Sequence, residues 1–349
     1  MTAEPSPALQ AAVQKLAFHE SLTREESAAA FAAVMNGEGT AAQMAALLVG
    51  LRVKGETPAE VAGAATALRG AMTVLEAERP SELVDTCGTG GGAVSTFNIS
   101  TAAAILAAGA AVRVAKHGNR SFTSKCGSAD VLEALGVAIE IPVSRMHDVL
   151  DRAGIVFMFA PTMHPAMRHV GPVRREIGIP TVMNLIGPLA NPARAGRQVI
   201  GVADPARLEL IAGALQALGT MHSLVVHGEP GLDEISPIGP TTVIELRDGE
   251  SRRWTLDPSA FGMKPARRED LAAGDPAANA ALIETVLAGR GAAGAEAAVL
   301  LNAAGAIYVS GKAADFGTAL TEARDALSSG AGMSALQRLR AAAPRVSSA

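Results

Sequence analysis

From the N-terminus to Met72 the chain alternates Ala- and Leu-rich stretches with short polar breaks, and three of the breaks end in the same pattern. Thr23 is followed by Glu26, Thr40 by Gln43 and Thr57 by Glu60. A hydroxyl oxygen so placed accepts an orphan N–H of a first helical turn while the Glu or Gln returns a bond, so each pair predicts a helix start. Pro58 stands at a first helical position, where a missing N–H costs nothing, and Gly37 and Gly55 stand where two of these helices should stop. Residues 1–73 are therefore expected to form a small helical domain. After Pro80 the pattern shifts to short Val- and Ile-rich runs divided by Ala-rich stretches, which predicts an α/β domain over 74–345 with a mostly parallel central sheet flanked by helices. Strands are expected at 83–85, 112–115, 155–160, 198–202 and 224–227, and helices at 101–109, 129–135, 165–177 and 205–218. Residues 242–246 and 253–256 predict antiparallel strands added late, and 341–349 a tail that frays.

Composition narrows the possibilities. Hydrophobic residues fill 49% of the 349 positions but aromatics only 3%, so the core must be built from aliphatic side chains and close Ala and Gly packing. A net charge of −4 gives no support to a grip on nucleic acid, so any phosphate recognition has to be local. Only two cysteines, Cys87 and Cys126, and no basic-then-apolar leader pattern predict a soluble protein of the reducing cytoplasm. The longest apolar stretch, 102–112, falls short of the roughly 18 residues that suggest a membrane span.

The run Asp85-Thr86-Cys87-Gly88-Thr89-Gly90-Gly91-Gly92 follows a predicted strand and leads into a predicted helix. Glycines let backbone N–H groups close on an anion and the helix adds its positive end, so the run reads either as a phosphate cradle or as a plain tight turn. Gly88 to Ala93 also satisfies the dinucleotide fingerprint G-x-G-x-x-A, but that motif needs a helix at once and an acidic residue ending the next strand. Here the polar segment 95–101 intervenes and the next strand ends in Lys116; a P-loop fails because no Gly-Lys-Ser/Thr follows at the required spacing. Asn98, Ser100 and Thr101 cluster at a helix start as N-caps or ligand contacts, and Ser100 can also offer an oxygen to a metal.

The second strand end carries Lys116-His117-Gly118-Asn119-Arg120-Ser121-Phe122-Thr123-Ser124-Lys125-Cys126-Gly127-Ser128, three cations and two glycines among hydroxyls. If its strand neighbours the first in a parallel sheet, the two loops converge on one anion site. Further runs are Thr96-Phe97-Asn98-Ile99-Ser100-Thr101, Asp130-Val131-Leu132-Glu133-Ala134-Leu135-Gly136, His164-Pro165-Ala166-Met167, Val173-Arg174-Arg175-Glu176, Asn184-Leu185, Gly187-Pro188-Leu189 and Gly231-Leu232-Asp233-Glu234. In their order, over residues 15–340, these runs resemble the anthranilate phosphoribosyltransferases.

The resemblance implies a fold of the nucleoside phosphorylase and phosphoribosyltransferase kind, with the N-terminal helical domain completed by a helical segment near 164–191. It implies a homodimer through the helical domains and transfer of the phosphoribosyl group of phosphoribosyl diphosphate (PRPP) to anthranilate in tryptophan biosynthesis. It puts Gly88, Gly91, Gly92, Thr96, Asn98, Ile99, Ser100, Thr101, Lys116, His117, Gly118, Asn119, Arg120, Ser121, Phe122, Thr123, Ser124 and Ser128 around PRPP. Gly88, Asn119 and Arg174 would meet anthranilate, and Ser100, Asp233 and Glu234 would hold magnesium, two ions per site. One departure stands out: the family usually has Asp where this chain has Gly92.

These residue types suit that chemistry. Diphosphate departs with a high negative charge, which Lys116, backbone N–H groups and magnesium can stabilise. Magnesium divides its coordination between one or two carboxylates and substrate phosphates, which fits Asp233 and Glu234, although an isolated Asp-Glu pair would read as an exposed acidic turn. An arylamine acceptor is already neutral, so positioning dominates over base catalysis, and Arg174 suits its carboxylate. His117 reads as pocket lining or loop support, Arg175 as a surface charge, His164-Pro165 as a helix entry and both cysteines as packed side chains. The pyrimidine nucleoside phosphorylases share the Lys-His-x-Asn-Arg-Ser loop but carry a Lys-Met-Ser-Gly segment that this chain lacks. Nucleic-acid-binding relatives are basic and lack the Asp-Glu pair.

Overall fold

A computed structural model describes residues 4–92, 94–121, 125–272 and 274–345. Four helices come first: α1 (Pro7–Ala17), α2 (Arg24–Met35), α3 (Ala41–Lys54) and α4 (Pro58–Gly70). Strands and helices then alternate through β1 (Val84–Gly88), α5 (Ile99–Gly109), β2 (Val114–Gly118), α6 (Ser128–Ala134), α7 (Val143–Ala153) and β3 (Ile155–Phe159). Next come α8 (Ala160–Met163), α9 (Met167–Ile177), α10 (Met183–Ile186), β4 (Arg197–Gly201), α11 (Leu208–Leu218) and β5 (His222–Gly228). After β6 (Thr241–Arg247) and β7 (Glu250–Leu256), the helices α12 (Pro276–Leu287), α13 (Ala293–Ser310), α14 (Phe316–Ser328) and α15 (Ala331–Ala342) complete the chain.

One compact unit is helical and comprises the chain up to Val74 together with Pro161–Pro192 and Glu209–Gly219. All three expected capping boxes form, at Thr23, Thr40 and Thr57. Glu60 does more than cap: fully buried, it accepts from Leu22 N at 2.8 Å and pairs with Lys54 at 2.9 Å, tying three segments together. At Gly63 a Cβ would press on the backbone of α2, so α2 and α4 meet at glycine distance. The unpredicted α1 has no side-chain cap; the Gln43 amide holds its start, accepting from Ser6 N at 3.0 Å and donating to Ser6 O at 3.1 Å.

The other unit comprises Leu75–Ala160, Ala193–Leu208 and the chain from Thr220 onward. Its seven strands run in the order β3-β2-β1-β4-β5-β6-β7, the first five parallel and the last two antiparallel. Each expected strand is present within a few residues. Strand order reverses between β1 and β4, where parallel sheets open a crevice beyond the carboxyl ends of their strands. Helix α13 packs on β1, β4 and β5 and against α5 and α14. By length and composition it matches a membrane span, yet it is largely buried as a core helix; Glu296 and Asn302 break the apolar run that would have shown it in the sequence. The expected fraying from 341 onward is corrected through Arg345: Val137 bridges Pro344, and Arg345 N donates to Gly136 O at 3.3 Å.

Candidate active site

Four parallel strands of the α/β unit end in glycine at one edge, and the glycines of β1, β4 and β5 are required by the same turn. A Cβ on Gly88 would lie 2.6 Å from Asp233 Oδ2, one on Gly201 would run into the Asp233 backbone, and one on Gly228 would crowd Ser236 at 2.6 Å. The turn Gly231–Glu234 thus folds down over the strand ends because β1, β4 and β5 carry no side chain there. Two bonds between Gly228 and Leu232, at 2.9 and 2.7 Å, start the turn. Its exit is pinned by Asn302 of α13, whose amide bonds both Ile235 N and Ile235 O at 2.9 Å. Nothing near Asn302 in the sequence marks it beyond being a buried amide in the middle of a largely apolar helix.

The glycine run faces this acidic turn. Gly90 and Gly91 adopt the left-handed conformation, with φ of 69° and 79°, and Gly90 N donates to Asp233 Oδ2 at 2.9 Å. Glu234 Oε1 accepts from Ser100 N, in the first turn of α5, at 3.1 Å. Burial raises the pKa of Asp233. Burial first, and then the charge of Asp233, raise Glu234 to about 8, because Lys116 and the Ser100 N–H offset too little. The pair is short of positive charge. Among the described residues no group of three or more His, Cys, Asp or Glu could enclose a metal unaided. Two carboxylates and a hydroxyl, with other positions left to ligand oxygens and water, suit magnesium.

Lys116 lies buried beside Ser100. Its ammonium does not project into the open edge but is 2% exposed, donating to Thr86 O, to Thr86 Oγ1 at 3.4 Å and to Ser100 Oγ at 3.3 Å. Burial lowers its pKa, with Asp85, Cys87 and Glu234 opposing. It therefore reaches the site through Ser100, whose hydroxyl keeps a second lone pair. Asp85, also missed in the sequence, lies fully buried on β1 and accepts from His117 N at 3.1 Å.

The basic loop is closed by an acidic residue. Asp130 accepts from Gly127 N at 2.8 Å and Ser121 N at 3.3 Å, and also from Arg120 at 2.8 Å. Arg120 further bonds Glu133 at 2.6 Å, so its guanidinium turns toward α6 and the Phe159 ring. Ser128 Oγ donates back to Asn119 O at 3.2 Å, which a Cβ at Gly118 would obstruct. Thr96 bridges Ala272, and Asn98 donates to Cys126 O at 3.1 Å. Ile99 and Thr101 are buried, their N–H groups donating to Phe97 O at 2.7 Å and Asn98 O at 3.1 Å, while Thr101 Oγ1 is a buried oxygen without a hydrogen-bond partner among the described residues. Gly92 lies beside the acidic turn, 3.1 Å from Gly231 O to where its Cβ would be. Phe122, Thr123 and Ser124 lie outside the described residues. Arg174 belongs to the helical unit, on α9, half-buried, its pKa lowered by burial.

Comparison with known proteins agrees with this architecture. Residues 10–72 match the helical bundle domain of the glycosyl transferase family and 80–333 match its a/b domain. An anthranilate phosphoribosyltransferase from Roseiflexus sp. (strain RS-1) is 51% identical over 91% of this chain and 93% of its own. The crystal structure of the Thermus thermophilus enzyme of that name superposes with a TM-score of 0.89 at 43% identity, covering 95% of this chain and 98% of that one. The Saccharomyces cerevisiae enzyme in complex with PRPP and Mg gives 0.86 at 27% identity, covering 97% and 98%. With both domain models matched in order and half of all residues shared with a relative over nearly its whole length, the chain belongs to the anthranilate phosphoribosyltransferase family.

Proposed function

We propose that this enzyme transfers the phosphoribosyl group of PRPP to anthranilate, giving N-(5-phosphoribosyl)anthranilate and diphosphate, in tryptophan biosynthesis. The observation that carries the reading is the Asp233-Glu234 turn, folded against the glycine run and the first turn of α5 and short of positive charge. The diphosphate of PRPP occupies the edge between the glycine run 88–92 and the α5 N-terminus, where the positive end of the helix favours an anion. Asn98, Thr96 and the 116–128 loop surround the rest of PRPP. Magnesium, two ions per site, is held by Asp233, Glu234 and Ser100; when bound it supplies positive charge to the departing diphosphate. Lys116 donates to Ser100 and keeps that hydroxyl oriented.

The amine nitrogen of anthranilate donates its lone pair to the anomeric carbon of ribose as the bond from that carbon to diphosphate oxygen breaks, and the displaced electron pair leaves with diphosphate. The nitrogen then gives up one proton to the departing diphosphate or to water. Asn119 and Gly88 orient the acceptor and Arg174 pairs with its carboxylate; orientation, rather than a strong base, supplies the rate. Two protomers associate through their helical domains, 1–73 with 164–191, each carrying an α/β domain over 74–345. In support, three of the large apolar side chains exposed on this chain, Phe18 at 79%, Val53 at 70% and Ile179, belong to the helical unit. The enzyme works in the cytoplasm and binds no nucleic acid. The decisive experiment follows anthranilate fluorescence on adding PRPP with and without magnesium. Loss of signal only when both are present is expected; a steady signal overturns the reading.

A further inference from the structure

We propose that Asn279 is a positioning residue for PRPP, setting which way the amide of Asn98 faces. The proposal rests on the reading above, in which Asn98 meets PRPP. The two asparagines are far apart in sequence but joined side chain to side chain. Gly274 N donates to Asn279 Oδ1 at 2.7 Å, Asn279 Nδ2 donates to Asn98 Oδ1 at 3.0 Å, and Asn98 Nδ2 donates to Cys126 O at 3.1 Å. Both ends of this relay are backbone groups, an N–H that can only donate and a carbonyl that can only accept. Either amide turned over would set donor against donor or acceptor against acceptor, so the relay has one polarity.

Three further observations show that the arrangement is built in. Asn279 is 1% exposed, so water cannot replace a lost partner. Asn98 is the N-cap residue of α5 and yet makes no side-chain cap bond, although capping is what an asparagine there ordinarily does. Its side chain is committed to the relay instead. The segment leading to α12 is also knitted to the same loop: Thr96 bridges Ala272, and Phe97 N donates to Leu271 O at 2.9 Å. Asn279 therefore joins the start of α12, the polar segment before α5 and the end of the basic loop. An amide NH2 has two hydrogens; with one held by Cys126 O, the other keeps a fixed direction for a ligand oxygen.

The test is Asn279→Asp, read against wild type with both substrates varied. At neutral pH the carboxylate still accepts from Gly274 N but cannot donate to Asn98. The KM for PRPP should rise about tenfold while that for anthranilate stays within about twofold. As pH falls from about 8 to about 5.5, the buried carboxyl takes up a proton and gains an O–H for Asn98 Oδ1, so the variant-to-wild-type ratio of PRPP KM should fall toward one. A defect of folding alone leaves that ratio flat. Adding Asn279→Asp to Asn98→Ala should cost nothing more, since the group being oriented is gone. An unchanged KM for PRPP, an equal rise for both substrates or a flat pH ratio overturns the proposal. Should Asn279→Asp not fold, an unchanged PRPP KM in Asn279→Ala does so. A wild-type protein that does not consume anthranilate overturns the function itself, and that control is read first.

Discussion

Strand β5 has a carboxylate cluster at each end, and the two obey opposite rules. Near its start, Glu245 of β6 is buried and receives His222 Nε2 at 2.9 Å, Tyr308 OH at 2.7 Å and Trp254 Nε1 at 3.0 Å. Burial alone would raise its pKa, but these three partners outweigh it and hold the group below the usual range. Past the other end, Asp233 and Glu234 are half-buried, and loss of solvent with too few donors raises both. A satisfied carboxylate holds the fold together; a pair left short of positive charge suits a cation from outside the chain. Cations repeat the contrast. Hydrogen bonds donated to Glu133 and Asp130 push Arg120 up, whereas burial pushes Arg174 down.

The comparison breaks most visibly if the acidic pair is neutralised. Asp233→Asn with Glu234→Gln should lower turnover roughly a thousandfold or more, because the diphosphate loses its metal anchor. The melting temperature without magnesium should hold or rise, since two carboxyls that are costly to ionise at this site are gone. Magnesium-dependent turnover near the wild-type level would end the metal assignment.

At the other end of β5 the outcome reverses. Glu245→Ala leaves three donors without an acceptor and should cost about 2 to 4 kcal/mol of stability, measured by urea unfolding, while the folded variant keeps wild-type KM values. The sign with pH follows from a depressed pKa: the stabilisation is full above the ordinary Glu range and is lost as pH falls through the lowered value. Acid should therefore weaken wild type more than the variant. A fall in turnover without loss of stability would place Glu245 in the site instead.

Arg174→Ala tests the cationic half of the contrast. Losing a charge-assisted pair with the acceptor carboxylate should cost about 1.5 to 3 kcal/mol in apparent anthranilate affinity and less for PRPP. Equal damage to both would make Arg174 a structural residue.

What the sequence reveals follows the range of the forces involved. Capping boxes are local, so Thr23, Thr40 and Thr57 are read correctly, whereas α1 is missed because its start is held by Gln43, far along the chain. Parallel strands announce themselves by apolar runs, but α13 is buried on nearly every side and shows no amphipathic period to read. At the site, the glycines, the basic loop and the acidic pair are visible as types and spacing. Which atoms Lys116 reaches is not, because that depends on β2 lying beside β1. Asn279, Asn302 and Asp85 act on the loops from elsewhere in the fold, and nothing near them in sequence marks the connection.

Gly92 offers the finest test of the charge argument, since the family usually carries a carboxylate there. Its backbone lies outside the left-handed region that Gly90 and Gly91 occupy, so Asp is admissible by conformation. Space is tight but sufficient if neighbours shift: the Cβ would sit 3.1 Å from Gly231 O and 3.4 Å from Asp233 Oδ1. A third carboxylate then joins a pair already short of positive charge. In wild type, Glu234 at about 8 binds its proton more tightly folded than unfolded, so its contribution to stability is full below the ordinary Glu range and lost as pH rises through about 8. Magnesium competes with that proton, so the rise in melting temperature it brings should grow with pH across the same window. Gly92→Asp should move the window up by about half a unit to one unit, the size expected of a nearby charge partly screened by water. Turnover at saturating magnesium should change no more than about threefold, because the added side chain neither replaces Asp233 nor removes a backbone donor. An unmoved window would mean that the introduced carboxylate points away from Asp233. A large gain in turnover would mean that glycine at this position leaves the natural site incomplete.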